Sequence, residues 1–74
     1  MADIEVDARG LNCPLPILRA RKALNDIQSG QTMKVVATDP GSAQDFRTFA
    51  DRAGHALLEL SEAGGEYTIV LRKA

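Results

Sequence analysis

The chain has 74 residues and a mass of 8.0 kDa, 45% hydrophobic and 26% charged, which excludes wholesale disorder and fits one domain, 1–74. Nine Lys+Arg against ten Asp+Glu give a formal charge of -1, which argues against a domain built to grip phosphate backbones. One cysteine excludes an internal disulfide and a two-thiol switch within the chain, and with one histidine it leaves no zinc-type ligand set, so no metal site is expected.

No apolar run is long enough for a membrane-spanning helix, so no membrane partner is expected. The start, Met-Ala-Asp-Ile-Glu-Val-Asp, is acidic and alternating, unlike a secretory signal. The expected compartment is the cytoplasm, where a lone thiol stays reduced.

Ile4 and Val6 alternate with Glu5 and Asp7, which predicts a short strand with one buried face. Asp7 to Asn12 holds turn formers and reads as a loop. From Cys13 the spacing changes: Ile17, Leu18, Arg21, Leu24 and Ile27 recur every three or four residues. This predicts an amphipathic helix ending near Ser29-Gly30. Thr32 to Thr38 is the strongest strand signal, broken by Asp39-Pro40-Gly41-Ser42. Ser42 and Asp45 resemble a capping box; Phe46, Phe49, Ala50 and Ala53 then give a second helix its apolar stripe, closed by Gly54. Ala56–Leu60 reads as a third strand, Glu62–Glu66 as a hairpin loop and Tyr67–Arg72 as a fourth strand.

The order β-α-β-α-β-β implies a right-handed parallel unit followed by an antiparallel hairpin. Two helices cover only one face of four strands. The expected fold class is therefore α+β: a two-layer α/β sandwich with a four-stranded mixed sheet and two helices on one face. A weak internal echo is present, in that each helix follows a strand and an X-Pro pair, Cys13-Pro14 and Asp39-Pro40.

Chemistry concentrates at Cys13-Pro14-Leu15-Pro16. Proline suits the first helical position, which would make Cys13 the N-cap. Pro16 has no N–H to offer, leaving those of Leu15 and Ile17 near the sulfur, with the positive end of the helix dipole behind them. A thiol so placed is expected to have a lowered pKa and nucleophilic character. Pro16 also restricts Leu15, stiffening the first turn. Arg9 and Arg21 are candidates to stabilise an anionic sulfur. Arg19, Arg21 and Lys22 are either a solvated face or a partner-docking patch. A lone cysteine is commonly just a small buried hydrophobe, so exposure at the helix tip decides between the readings. His55, Asp39-Pro40 and the two phenylalanines read as structural.

Asp7-Ala8-Arg9-Gly10-Leu11-Asn12-Cys13-Pro14-Leu15-Pro16, with Arg21-Lys22, Gly30, Asp39-Pro40 and Leu71-Arg72-Lys73, resembles the TusA/SirA-like family of small sulfur carriers over essentially the whole chain. The resemblance implies a fold like the C-terminal domain of translation initiation factor 3. It implies that Cys13 accepts sulfane sulfur as a transient persulfide, with no other cofactor, from a cysteine desulfurase or rhodanese-type donor. The sulfur would pass to an acceptor such as a DsrE/TusD-type protein, with no direct nucleic-acid contact. The relays so served are tRNA 2-thiolation, molybdenum-cofactor metabolism and sulfur oxidation. Such a chain is a carrier or sulfurtransferase rather than a stand-alone enzyme. The motif's variable position is Leu15 here, where a tRNA-thiolating member has Glu. The competing reading is a non-enzymatic regulatory or interaction module that uses exposed apolar residues of the open sheet face.

Overall fold

The computed structural model describes residues 2–74. Six elements follow the expected order: β1 (Ile4–Ala8), α1 (Leu15–Leu24), β2 (Thr32–Ala37), α2 (Ser42–Ala53), β3 (Ala56–Ala63) and β4 (Glu66–Arg72). They form one mixed sheet in the order β1-β2-β4-β3. β1 lies parallel to β2, while β4 runs antiparallel to both β2 and β3. β4 thus inserts between β2 and β3, because the last hairpin folds back onto the free edge of β2.

Alternation sets the two faces of the sheet. Val6, Ala8, Met33, Val35, Ala37, Ile69 and Leu71 point one way and are buried. They meet Ala20, Ala23 and Leu24 of α1 and Phe46 and Ala50 of α2. The small residues Ala8, Ala20 and Ala37, all at 0% exposure, let α1 approach the parallel strands closely. Phe46 is the largest fully buried side chain and meets Phe49 edge-on at 6.4 Å between ring centres. Glu5, Asp7, Lys34 and Val36 point the other way.

Several boundaries differ from the sequence reading. The last hairpin is tighter than a Glu62–Glu66 loop: Ala63 pairs with Glu66, and only Gly64 and Gly65 turn the chain. Their φ values of 60° and 84° match a two-residue turn with both central residues left-handed, which glycine adopts without steric cost. β3 carries a bulge between Leu57 and Glu59, which leaves Leu58 exposed. α1 stops at Leu24 rather than near Ser29-Gly30. Tighter three-residue turns follow, Asp26 N–H to Ala23 O and Ile27 N–H to Leu24 O. The spacing at Ile27 signalled burial, not helix. The Lys73 ammonium donates to the Leu24 and Ile27 carbonyls, each at 2.7 Å, answering groups that a helix end leaves unpaired. Lys73 reaches them because its backbone pairs with Gly30 and Gln31 beside β2.

The capping box at Ser42 does not form. Gly41 is the N-cap, and Asp39 supplies the local order: its carboxylate accepts the Gly41 N–H at 3.1 Å and its carbonyl accepts the Ser42 N–H at 3.0 Å. Ser42 is instead buried, and its hydroxyl has no partner among the described residues. At the far end Gly54 turns left-handed (φ 77°) and closes α2, as its position in the sequence predicted.

Candidate functional site

β1 and β2 are parallel, so their C-terminal ends lie at one edge of the sheet. The loops that follow them lie there too, as do the N-termini of both helices. In open α/β sheets this is where sites are built. The echo between Cys13-Pro14 and Asp39-Pro40 therefore has a spatial meaning: the two segments come together.

The loop carrying Cys13 is pinned. Leu11 N–H donates to Ala8 O at 3.3 Å, and Gly10 N–H donates to the Thr38 hydroxyl at 2.8 Å. Leu11 packs against the core, and Cys13 stands exposed beyond it. The sealed-hydrophobe reading of the lone cysteine is thereby set aside.

The local geometry corrects the sequence reading in two ways. Cys13 is not the N-cap. Leu18 N–H bonds to Pro14 O at 3.1 Å, which makes Pro14 the cap, Leu15 the first helical residue and Pro16 the second. Leu15 N–H is spent on Asn12 O at 2.8 Å, so it is not free for the sulfur. The Cys13–Pro14 peptide is cis. Second, the thiol pKa is raised, not lowered. The Asp45 carboxylate, as acceptor for the S–H, is the main cause; partial desolvation, the Asp45 charge and the Asp39 charge add to it. Asp45 sits in the first turn of α2, where a carboxylate suits the helix dipole.

Cys13 opens onto a groove of about 740 Å³ between α1 and α2. Ile17 and Leu24 of α1 and Phe49 and Ala53 of α2 give it apolar walls. Asp45 stands at the Cys13 end. Arg21, Arg52, His55 and Lys73 also line it, placed towards the C-terminal ends of the helices. The His55 ring accepts the Ala74 N–H at 3.0 Å and leans on Phe49, 5.6 Å between ring centres. Its structural reading stands, and it also lines the groove.

The candidate residues separate. Arg21 shares the groove with Cys13. Arg19 and Lys22 do not line it; with Leu15 and Leu18 they form the exposed outer side of α1, at the helical spacing of neighbours. Leu15 and Leu18 are large apolar side chains at 48% and 51% exposure. Arg9 is not brought to the sulfur. It donates twice to Asp7, at 2.9 and 3.0 Å, and lies 3.8 Å from Glu66. Those contacts are on the open face, where Asp7 is held down to a pKa of about 2, first by the side-chain bond from Arg9. That face is mostly polar and charged, with Val36 and Val70 half-buried among the charged residues. Sequence reasoning missed Asp45, Arg52 and Lys73. Asp45 was visible only as a cap, and nothing local links Arg52 or Lys73 to Cys13.

Among the described residues, no three His, Cys, Asp or Glu side chains gather as metal ligands. No helix is long and apolar enough to cross a membrane.

A protein-family profile described as "Sulfurtransferase TusA" matches residues 4–73. The "Sulfur carrier protein TusA" of Allochromatium vinosum is 54% identical over 72 residues, covering 97% of this chain and 95% of that protein. The protein of the same name from Pseudomonas aeruginosa is 39% identical over 71 residues, covering 96% and 90%. Among solved structures, the SirA-like protein from Desulfitobacterium hafniense superposes with a TM-score of 0.81 at 27% identity, covering 93% of this chain and 95% of that one.

Proposed function

The chain belongs to the TusA family of sulfur carrier proteins, and from that premise we propose that Cys13 is the atom-bearing site, loaded as a persulfide and emptied onto a partner. The observation that supports this most is the exposed thiol at the mouth of a groove, in a chain with no second cysteine. A second thiol in the chain could resolve a persulfide to a disulfide and release sulfide; here none competes.

Loading follows the logic of thiol–disulfide exchange. The Cys13 thiolate attacks the outer sulfur of a donor persulfide, R–S–SH. A sulfur–sulfur bond forms at Cys13, the donor's sulfur–sulfur bond breaks, and the donor leaves as its thiolate. Unloading repeats the step with an acceptor thiolate attacking the outer sulfur held by Cys13. Asp45, with partial desolvation and the Asp39 charge, pushes the resting thiol above its ordinary pKa, so the free carrier holds even less thiolate than an ordinary cysteine and is a poor nucleophile towards stray oxidants. A docked donor that offsets those carboxylates releases the thiolate where it is needed.

The donor in this reading is a cysteine desulfurase or a rhodanese-type protein, and the acceptor a DsrE/TusD-type protein, in the cytoplasm. Pro14 and Pro16 shape the helix tip. Leu15 and Leu18 supply an apolar contact, and Arg19 and Lys22 steer an acidic partner to it.

Incubation with a cysteine desulfurase and free cysteine, followed by intact-protein mass, tests the site. The expected result is a gain of one sulfur atom, removed by reductant and absent in Cys13→Ser. No adduct with this donor or with a rhodanese-type donor supplied with thiosulfate, or an adduct that survives Cys13→Ser, refutes it.

A further inference from the structure

The groove has a direction. Its Cys13 end is acidic, with Asp45 in the groove and Asp39 close by. Its other end is basic, with Arg52, Lys73 and His55, and Arg21 stands between. The two arginines are exposed, and neither forms an ion pair among the described residues; the pairs present there all belong to Arg9. Arg19, Arg47 and Arg72 form no ion pair there either, but of the unpaired arginines only Arg21 and Arg52 line the apolar trough.

Length fits as well. The groove follows α1 from Cys13 to Asn25, about 15–18 Å at the helical rise per residue. An extended peptide of about five residues spans that distance. Side-chain chemistry then sets the occupant: apolar walls for the backbone and small side chains, guanidinium groups for carboxylates.

We propose that the groove between α1 and α2 seats an extended, acidic, cysteine-bearing segment of a partner protein, its cysteine against Cys13 and its carboxylates against Arg21 and Arg52. The segment lies along the helices, so the reacting sulfurs meet at the N-terminal end and the anchoring charges sit towards the C-terminal ends. The only part of this that rests on the carrier reading is the cysteine in the partner segment. Both arginines also lie in or near the last turn of their helices and answer the helix dipoles. That role alone requires neither to face a shared groove, and it is separable by experiment.

The probe is a labelled peptide with serine in place of its cysteine, followed within five residues by three glutamates or aspartates. It is titrated into isotopically labelled Cys13→Ser protein, so no sulfur chemistry intervenes. Binding at roughly 1 mM or tighter is expected, with amide shifts at Leu24, Phe49, Arg52 and Ala53. Arg21→Glu combined with Arg52→Glu should weaken it by about tenfold or more. Lys34→Glu combined with Arg72→Glu, on the open face of the sheet, should leave the amide shifts in the groove in place. A peptide with lysines for its acids should not bind. If the double reversal unfolds the chain, Arg21→Gln with Arg52→Gln replaces it, with the same direction expected. The proposal is overturned by equal binding of the lysine peptide, by no effect of the arginine changes in folded protein, or by no groove shifts at all. Displacement of the peptide by inorganic sulfate at the same concentration would assign the groove to a small anion and also overturn it. Because the titration uses protein that cannot carry sulfur, its outcome is independent of whether Cys13 loads.

Discussion

Arg9 on the open face and the two arginines of the groove stand in opposite situations. On the open face Arg9 lies between Asp7 and Glu66, and the neighbouring positions set Glu5 beside Lys34. Arg9 is thus paired within the chain, whereas Lys34 and Arg72 on the same face form no ion pair among the described residues. Between the two helices Arg21 and Arg52 flank an apolar trough and find no carboxylate within ion-pair distance, although Asp45 shares the groove. The difference shows where the molecule has unsatisfied recognition capacity. A cation already paired within the chain has little to offer a partner, while unpaired cations over apolar walls retain their full interaction for one.

The largest test of this contrast is stability. Phe46 is fully buried beneath the groove and supports Phe49, one of its walls. Phe46→Ala is expected to cost about 3–5 kcal/mol in denaturant unfolding, whereas Val36→Ala on the half-buried open face should cost about 1 kcal/mol or less. Equal losses would mean that the open face is as well packed as the core.

Next comes Lys73→Met, which keeps the length of the side chain but leaves the Leu24 and Ile27 carbonyls without their donor. A loss of about 1–3 kcal/mol is expected, with faster hydrogen exchange at the C-terminal end of α1. Unchanged exchange there would show that solvent answers those carbonyls equally well.

A third test reads reactivity rather than stability. The raised Cys13 pKa has Asp45 as its main cause. Removing that negative charge lowers the pKa, so more thiolate is present at a given pH. Asp45→Asn should move the pH profile of Cys13 alkylation to lower pH and speed the reaction at neutral pH. Asp7→Asn, on the open face, should leave the profile in place. A profile unmoved by Asp45→Asn would contradict the placement of the carboxylate against the thiol.

The smallest effect belongs to Arg9. The folded Asp7 pKa of about 2 lies below its ordinary 3.8, so the pairing contributes above pH 4 and is lost as pH falls from there to about 2. Both groups are exposed, which makes the contribution slight. Arg9→Ala should leave the melting temperature nearly unchanged at pH 7 and remove a shallow acid dependence between pH 4 and 2. A large drop at pH 7 would give Arg9 a role that its surroundings do not show.

Much of this was legible in the chain itself. The order of elements followed from local periodicity: alternation at Ile4 to Asp7, three- and four-residue spacing from Ile17, and Gly54 after the second stripe. The family resemblance followed from Asp7–Pro16 together with Arg21-Lys22, Gly30, Asp39-Pro40 and Leu71-Arg72-Lys73, and the place of Cys13 before the first helix from the Cys-Pro-x-Pro element. Boundaries within a turn were less legible. Ile27 is buried outside the helix, and Ser42 is buried without capping, because burial and helix membership leave the same apolar or small-residue mark.

What the sequence alone determined was the set of elements, the single thiol and its loop-to-helix position, since each depends on neighbours a few residues away. The tertiary structure decided the sulfur's electrostatics and its company. A parallel pairing of the first two strands brings Asp39 and Asp45 to Cys13, and packing two helices side by side puts Arg52 across from Arg21. Charge acts through space, so residues dozens of positions apart reversed what the helix end alone implied for the thiol.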